Sequence, residues 1–448
     1  MLKKNHSYQA HISDQSPIGS GIATLKGHPI HIPNSIPGDI IQFKVIKTSS
    51  QISYGRIIKI IQKSPHRVTP PCKIASTCGG CQLQHQSNSA QHEFKSKQLL
   101  RDLQAHININ ASDIQAIIAA KHPWGYRNKM QLALSEDNGQ LKIGLYASRS
   151  HRVIDMPHCP IMHDEMAQVL PIFKEWHRQH PIPIFNEKTH QGTLRYLTLR
   201  YAPQHQELMV ILTTAAPFPV PESLIKALKQ LPAFKSLYIC KQADPQSDQV
   251  LTAELSLAWG TPHIQETLFE TTHPLSPTAF YQGNAKLIET LYETWIKIIN
   301  WNGEGCLLDL YCGTGTSTLA FARKGGQVIG VDQHPAAIQN AKRSAQLHQI
   351  NAQFVCETAE SYLSQHKHPN SSILVDPPRS GLHPALIQAL IQHAPATIGY
   401  MSCSAKTLAR DLAFLVSAGY HIDQIQPIDM FSHTPHLEIM VRLSRPNS

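Results

Sequence analysis

Cys403 lies in the segment YMSCSAKTLARDL (400–412), between an apolar stretch and a sequence with helical periodicity. A thiol beside a helix N-terminus experiences the positive end of the helix dipole, which lowers its pKa and favours the thiolate. Ser404 is a residue type that commonly caps such a helix. A thiolate can add to C6 of a pyrimidine and so make C5 nucleophilic enough to accept a methyl group. Taken alone, however, a single cysteine at a strand end is more often a small buried apolar side chain.

Glu438 offers the base that this chemistry requires. It lies in FSHTPHLEIMVRL (431–443), where a loop enters a predicted terminal strand. The proton on C5 must be removed before the thiol can leave by elimination, and a carboxylate that faces a cleft can take it. The alternative for Glu438 in isolation is a solvated acid at the start of a strand.

Five predicted strands share one feature: polar or special residues follow each of them. The chain from residue 285 onward alternates helices with short apolar strands, which predicts a parallel sheet. Ligands of open parallel sheets bind outside the carboxyl ends of the strands. The predicted strands lie in CLLDLYCGTGTSTLAFA (306–322), QVIGVD (327–332), AQFVC (352–356), SSILVD (371–376) and ATIGYMS (396–402). Their ends are therefore expected to form one site.

The glycine-rich turn after the first of these strands favours an adenosine ligand without phosphates. Gly313 and Gly315 allow a tight turn, but Thr318 stands where a dinucleotide fingerprint has its third glycine. Asp332 ends the second strand, where an acid can accept hydrogen bonds from both ribose hydroxyls. S-adenosylmethionine fits this pattern. Arg379 in the DPPR tetrad (376–379) replaces the aromatic residue that amino-directed methyltransferases tend to have, although the tetrad alone is also compatible with a proline-rich helix entrance.

The N-terminal part of the chain carries most of the net charge of +9. Residues 1–70 contain nine lysines and arginines but only two acidic residues, Asp14 and Asp39. This balance favours a nucleic acid as partner, and the alternative is a generic solvated basic face. Short alternating strands in residues 7–62 predict a small β-barrel, and residues 89–118 are predicted to be helical. No secretory signal and no membrane span are predicted, so the expected compartment is the cytoplasm.

These motifs, taken in order, resemble the S-adenosylmethionine-dependent RNA uracil-5-methyltransferases that act on 23S rRNA and on the T-loop of tRNA. SPTAFYQGN (276–284) also resembles the entry segment of that family. The resemblance implies an α/β fold with a Rossmann-like class I methyltransferase domain at 271–448, an α+β central domain at 63–270 and an N-terminal TRAM (OB-like) β-barrel at 1–62. It implies that Cys403 is the nucleophile and Glu438 the base. The positions that match cofactor-binding residues are Gln282, Tyr311, Thr316, Asp332, Thr358 and Asp376.

Four further cysteines resemble the ligands of a [4Fe-4S] cluster in the rRNA-modifying branch of the family. They are Cys72, Cys78, Cys81 and Cys159, the first three in the spacing Cys-x5-Cys-x2-Cys. Four thiolates are what such a cluster needs, but structural zinc also takes four cysteines, and spacing alone does not separate the two metals.

The resemblance predicts methylation of uridine C5 in RNA, with 23S rRNA as the expected substrate. Alternatives are a tRNA T-loop uracil-5-methyltransferase, an RNA cytosine-C5 methyltransferase, and a non-catalytic RNA-binding factor that retains the cofactor fold. The expected partner is RNA, the expected oligomeric state is a monomer, and no membrane association is expected.

Overall fold

The computed structural model of the chain describes residues 2–445, which fold into two compact units. The first comprises the residues up to Arg101 together with Tyr146–Ile154 and Phe431–His436. The second comprises Asp102–Leu145, Asp155–Met430 and the residues from Leu437 onward. The three-domain division at residues 62 and 270 stays a prediction.

The first unit contains a six-stranded sheet in the order β1-β5-β6-β4-β3-β2. One apolar core lies under it, formed by side chains that alternate along the strands, among them Ile30, Ile32, Ile41, Phe43 and Val45. Short strands around one core agree with the expected small β-module, and its assignment as a TRAM barrel stays a prediction. The strands are β1 (Ser7–His11), β2 (Asp14–Gln15), β3 (Gly21–Leu25), β4 (His28–Ile32), β5 (Ile40–Thr48) and β6 (Ser53–Gln62).

Helix α1 (Asn88–Gln104) carries the chain from the first unit into the second. The prediction that the helix continues to residue 118 is wrong, because the chain after Gln104 forms only a short 3₁₀ turn at Ala111–Asp113. The intervening HININ (106–110) contains β-branched isoleucines and asparagines, which favour extended and turn conformations over a helix.

The second unit begins with a mostly antiparallel sheet in which β13, β12, β11, β10, β7 and β8 lie side by side in that order. Strands β10 and β11 pair antiparallel, with Leu199 opposite Val210. The elements of this part of the chain are β7 (Lys129–Asp137), β8 (Gln140–Tyr146), β9 (Val153–Asp155), α2 (Asp164–Ala167), α3 (Val169–Gln179), β10 (Leu194–Ala202), β11 (Glu207–Thr214), α4 (Glu222–Leu228), β12 (Phe234–Lys241) and β13 (Leu255–Gly260), followed by the hairpin of β14 (Ile264–Leu268) and β15 (Thr271–Leu275). The last residue of β8 and the first two of β9 fall in the first unit.

The remaining elements of the second unit form a doubly wound α/β sheet in the order β18-β17-β16-β19-β20-β22-β21. The five predicted strands are confirmed, they are parallel to one another, and the strand order reverses at β16. The elements are α5 (Ile288–Ile299), β16 (Cys306–Leu310), α6 (Thr316–Ala322), β17 (Gln327–Asp332), α7 (Pro335–Leu347), β18 (Gln353–Cys356), α8 (Ala359–Gln365), β19 (Ser372–Val375), α9 (Pro384–His393), β20 (Thr397–Ser402), α10 (Ala405–Ser417), β21 (His421–Ile428) and β22 (Glu438–Ser444). Among residues 2–445, no helix has the length and apolar character needed to cross a bilayer.

Candidate active site

Cys403 and Glu438 are brought together by the pairing of two adjacent strands. Cys403 directly follows β20, and Glu438 is the first residue of β22. These strands are antiparallel, and Ser402 lies opposite Ile439. The end of one strand therefore meets the start of the other, so the thiol and the carboxyl approach each other at the carboxyl edge of the parallel sheet.

The Cys403 thiol is less acidic in this structure than its position before a helix suggests. Burial raises its pKa, and the negative charge of Glu438 raises it further. Arg379 acts in the opposite direction, through its positive charge and through a hydrogen bond that its side chain donates to the thiol. Burial and the nearby carboxylates therefore act against the lowering of the pKa that a helix dipole predicts. Ser404 does occupy the N-cap position of α10, in an extended conformation with φ −137°.

The carboxyl groups of Glu438 and Asp376 form an acidic pair beside the thiol. Glu438 is only 3% exposed, and burial together with Asp376 holds its pKa well above the usual range. Burial and the charge of Asp309 raise the pKa of Asp376 to about 7. Two such carboxyl groups repel each other when both are ionised, so at neutral pH the pair retains a proton.

The glycine-rich turn is tied to the acid at the end of β17. Asp332 accepts hydrogen bonds from the Gly313 amide to Oδ2 (2.9 Å) and from the His334 amide to Oδ1 (2.8 Å). Gly313 has a φ of +55°, and a Cβ added there would meet no atom within 4 Å, so its backbone borders open space. Gly315, at φ +80°, is needed for packing instead, because an added Cβ would lie 2.8 Å from Phe354. This backbone conformation leaves room for a ligand against the turn.

The other four predicted cofactor residues occupy different surroundings. Tyr311 follows β16 in the left-handed region, with φ +68°, and burial raises its pKa to about 12. Thr316 is buried at the start of α6, and Gln282 is buried in the loop that leads to α5. Thr358 is exposed and caps α8, since its hydroxyl accepts a hydrogen bond from the Ser361 amide at 3.2 Å. A helix cap explains Thr358 without a cofactor, whereas its cofactor role stays a prediction.

A buried arginine in the antiparallel sheet holds the segment that carries Gln282. Arg200 lies on β10 and is 2% exposed, and its Nη1 donates to the carbonyl oxygens of Ser276 (2.9 Å) and Ala279 (2.6 Å). Asn128 Nδ2 donates to the carbonyl of Gln282 at 2.9 Å. Burial lowers the pKa of Arg200 to about 10, which leaves it charged at neutral pH. The entry segment is thus fixed on both sides of Phe280, whose side chain is exposed.

Two features of this edge were not predicted from the sequence. One is the buried acid Asp309, and the other is the contact of Arg379 with the Cys403 thiol. Asp309 is 1% exposed near the end of β16, and its Oδ2 accepts hydrogen bonds from the hydroxyls of Ser317 and Thr318, each at 2.6 Å. Within residues 2–445 its Oδ1 has no hydrogen-bond partner. A lone acid in the apolar strand CLLDL (306–310) was the available signal, because burying an unpaired carboxylate is costly unless something uses it.

Comparison with known proteins identifies the family. The family model described as tRNA (Uracil-5-)-methyltransferase matches residues 270–446. An uncharacterized RNA methyltransferase of Halalkalibacterium halodurans is 36% identical over 453 aligned residues, which cover 100% of this chain and 98% of the relative. The chain belongs to the S-adenosylmethionine-dependent RNA uracil-5-methyltransferase family. An RNA methyltransferase of Bacillus cereus is also similar, at 33% identity over 99% of this chain and 98% of its own.

A solved structure supports the same family assignment over nearly the whole chain. This RNA uracil-5-methyltransferase is similar to the Pyrococcus abyssi tRNA (uracil-54, C5)-methyltransferase, which was solved with S-adenosyl-L-homocysteine. The TM-score is 0.79 at 28% identity, over 97% of this chain and 99% of the other. S-adenosylmethionine is therefore the methyl donor, and the open backbone at Gly313 together with the unpartnered Asp309 oxygen fits such a ligand.

The acidic cluster predicts that this methyltransferase loses stability as the pH rises. Burial raises the pKa of Asp309 to about 6, above the value of about 3.9 expected in the unfolded chain. Its contribution to stability is therefore complete below about pH 4 and is lost as the pH rises through about 6. We expect Asp309→Asn to gain about 2–3 kcal/mol of unfolding free energy relative to the wild type between pH 4 and pH 8, measured by urea unfolding without ligands.

The matched control for this prediction is Asp423→Asn, which removes a carboxylate from a partly exposed ion pair with Arg442 at the other end of β22. That variant should keep the pH dependence of the wild type. Parallel stability curves for the wild type and Asp309→Asn would contradict the prediction.

The predicted metal ligands are divided between the two units. Cys72, Cys78 and Cys81 belong to the first unit, and Cys159 belongs to the second. Burial raises the pKa of Cys78, and the neighbouring Cys72 raises it further. Across residues 2–445, no three or more His, Cys, Asp or Glu side chains are grouped so that they could hold a metal ion.

Proposed function

We propose that this RNA uracil-5-methyltransferase modifies C5 of a uridine in 23S rRNA, with Cys403 as nucleophile and Glu438 as base. The observation that carries the chemistry is the register of β20 and β22, which brings the thiol beside the buried carboxyl. The basic character of residues 1–70 supports a large RNA partner. The TRAM-like assignment of the N-terminal module and a cytoplasmic, monomeric state are parts of this proposal.

The chemistry follows from what each side chain does to the base. Cys403 adds to C6, and the electron pair of the C5–C6 bond moves so that C5 becomes enolate-like. S-adenosylmethionine would supply the methyl group as an electrophile: the new bond forms between C5 and the methyl carbon, the bond from that carbon to the sulfonium sulfur breaks, and S-adenosylhomocysteine leaves. Glu438 then takes the proton from C5, and the bond between C6 and the sulfur breaks to release the thiolate. Arg379 stabilises that thiolate through its hydrogen bond, both before addition and after elimination.

Among the predicted positions, we propose Gln282, Tyr311, Thr316, Asp332 and Asp376 as cofactor-binding residues. Four of them lie in or at the ends of the turns that follow β16, β17 and β19, where ligands of such sheets bind. Gln282 lies in the segment that Arg200 and Asn128 hold. Thr358 is the weakest member of the predicted set, because its hydroxyl already caps α8.

A tRNA substrate is the second candidate, and a specific observation favours it. The Pyrococcus abyssi enzyme with TM-score 0.79 acts on uracil 54 of tRNA, and its whole length matches this chain. The test is methylation of purified 23S rRNA and of total tRNA lacking 5-methyluridine, each with radiolabelled cofactor. Label in 23S rRNA and none in tRNA supports the proposal, and label in tRNA alone overturns it. Chromatography of the nucleosides also separates 5-methyluridine from the 5-methylcytidine that a cytosine enzyme would make.

We further propose that Cys72, Cys78, Cys81 and Cys159 hold a [4Fe-4S] cluster. This assignment rests on their number, type and spacing in the sequence and not on the placement of their side chains. We expect anaerobically purified protein to be brown, with visible thiolate-to-iron absorption and about four irons per chain. Cys78→Ser should lose the colour, whereas Cys356→Ser should keep it. Colourless protein with stoichiometric zinc would overturn the iron–sulfur assignment.

A further inference from the structure

The helix that follows Cys403 carries a buried acid that the proposed chemistry does not use. Asp411 on α10 has no exposed surface, and both of its carboxylate oxygens have polar partners. Its Oδ2 accepts hydrogen bonds from the Leu382 amide (2.8 Å) and from the Tyr400 hydroxyl (2.7 Å). Its Oδ1 lies 2.7 Å from Arg410 in an ion pair. A buried carboxylate with partners on a loop and on a strand joins those elements rigidly.

The loop that α10 holds is the one that carries Arg379. Thr407 donates through its hydroxyl to the Arg379 carbonyl at 3.2 Å, and Arg410 donates to the carbonyls of Ser380 (3.1 Å) and Leu382 (3.3 Å). Gly381 has a φ of +79°, and an added Cβ would lie 2.6 Å from the Asp411 carboxylate. Only glycine lets the loop approach the helix this closely. Residues 379–382 are therefore held against α10 at successive positions.

The same elements position the thiol. Tyr400 lies on β20, which ends just before Cys403, and α10 starts just after it. Asp411 therefore links the strand before the nucleophile to the loop that carries the thiol's hydrogen-bond donor. The charged and titratable side chains near the Asp411 carboxylate are Arg410, Tyr400 and, at a longer distance, Tyr311. The thiol itself faces one cation and two acids, Arg379, Glu438 and Asp376.

We propose that Asp411 is a positioning residue that holds the loop of residues 379–382 against α10, so that Arg379 stays in hydrogen-bonding contact with the Cys403 thiol. The importance of that contact for methylation rests on the proposed function. The contact itself can be tested without RNA and without cofactor, since it controls how readily Cys403 ionises.

The test measures alkylation of Cys403 by iodoacetamide against pH in the full-length protein, with each cysteine quantified by peptide mass spectrometry. Thiolates react and thiols do not, so the pH profile reports the ionisation of each site. In Asp411→Asn we expect the alkylation rate of Cys403 at pH 8 to fall about three- to tenfold, with the profile shifted to higher pH. The exposed Cys356 serves as an internal control whose rate should not change. Asp423→Asn is the matched variant, because it also removes an ion-paired carboxylate.

Thr407→Val extends the test if Asp411→Asn does not fold. It removes the hydroxyl that reaches the carbonyls of Arg379 (3.2 Å) and Ser404 (3.3 Å), and it should shift the Cys403 profile in the same direction by a smaller amount. Unchanged Cys403 profiles in both variants, with only the melting temperature lowered, would overturn the proposal and leave Asp411 a structural residue. A shifted profile in a protein that forms no adduct with RNA would support the positioning role while the proposed function fails.

Discussion

Cys403→Ala is expected to abolish methylation and covalent capture of RNA together. With RNA that contains 5-fluorouridine, the wild type should form a complex that survives denaturing electrophoresis when S-adenosylmethionine is present. Fluorine at C5 cannot be removed as a proton is, so elimination is blocked after the thiol has added to C6. Without the thiol no addition occurs, and methylation of ordinary RNA should fall by at least about a thousandfold.

The control for this experiment is Cys356→Ala, a variant of an exposed cysteine next to the end of β18 that should retain the adduct and the activity. Cofactor binding, measured by calorimetry, should persist in Cys403→Ala because the glycine-rich turn and Asp332 are unchanged. The nucleophile assignment is wrong if Cys403→Ala still yields the denaturation-resistant complex.

The approach of Cys403 to Glu438 could be predicted from the sequence in outline only. The strands ATIGYMS and HLEIMVRL were both recognisable from their apolar residues, and both residues lie at strand ends. What the sequence does not contain is the register that sets Ser402 opposite Ile439 in an antiparallel pair. A shift by one residue would turn Glu438 to the other face of the sheet. Strand position is a local property, whereas register depends on the packing of the whole sheet.

The electrostatics of the site were the least predictable part. A helix start predicts an acidic thiol, but burial of Cys403 raises its pKa, and Glu438 and Asp376, which converge on it from different strands, raise it further. Asp309 illustrates the same limit. Its neighbours Ser317 and Thr318 are close in sequence, but its effect on Asp376 arises only when β16 and β19 pair side by side. A pKa depends on desolvation and on charges that the fold brings near, and neither is visible in a local motif.

The roles of residues that hold other segments in place could not be predicted from the sequence either. The motif SCSAKTLARDL contains Arg410 and Asp411, which look like an ordinary charged pair on a helix. Asp411 becomes significant because Leu382 and Tyr400 both bond to it. Arg200 is a similar case: it lies in a strand far from the motifs, and only the fold sets it against Ser276 and Ala279. For Thr358 the motif match predicts a ligand role, and the fold adds a second role that the motif did not indicate, because its hydroxyl caps α8.

Glu438→Gln is expected to trap the reaction after methyl transfer instead of preventing it. Burial and Asp376 hold the pKa of Glu438 well above its usual range, and glutamine keeps the shape of this side chain without adding a charge. Addition of Cys403 to C6 should therefore still occur, but the C5 proton has no acceptor and elimination stalls. We expect turnover to fall by about a hundredfold or more, with a covalent complex accumulating on ordinary uridine-containing RNA. Denaturing electrophoresis with labelled RNA measures both effects.

Asp376→Asn separates the role of the base from that of its neighbour. Asp376 is a proposed cofactor-binding residue, so this variant should weaken S-adenosylmethionine binding and should not accumulate the complex.

The pH dependence of elimination also distinguishes the base from its neighbour. The raised pKa of Glu438 means that the base is protonated at low pH and becomes competent only as the pH rises, and the neighbouring acid titrates at about 7. Elimination by the wild type should therefore accelerate as the pH rises above the range in which an ordinary carboxyl group titrates. An accumulating complex in Asp376→Asn but not in Glu438→Gln would assign the base to Asp376 instead. A flat profile in the wild type would contradict a base whose pKa is raised.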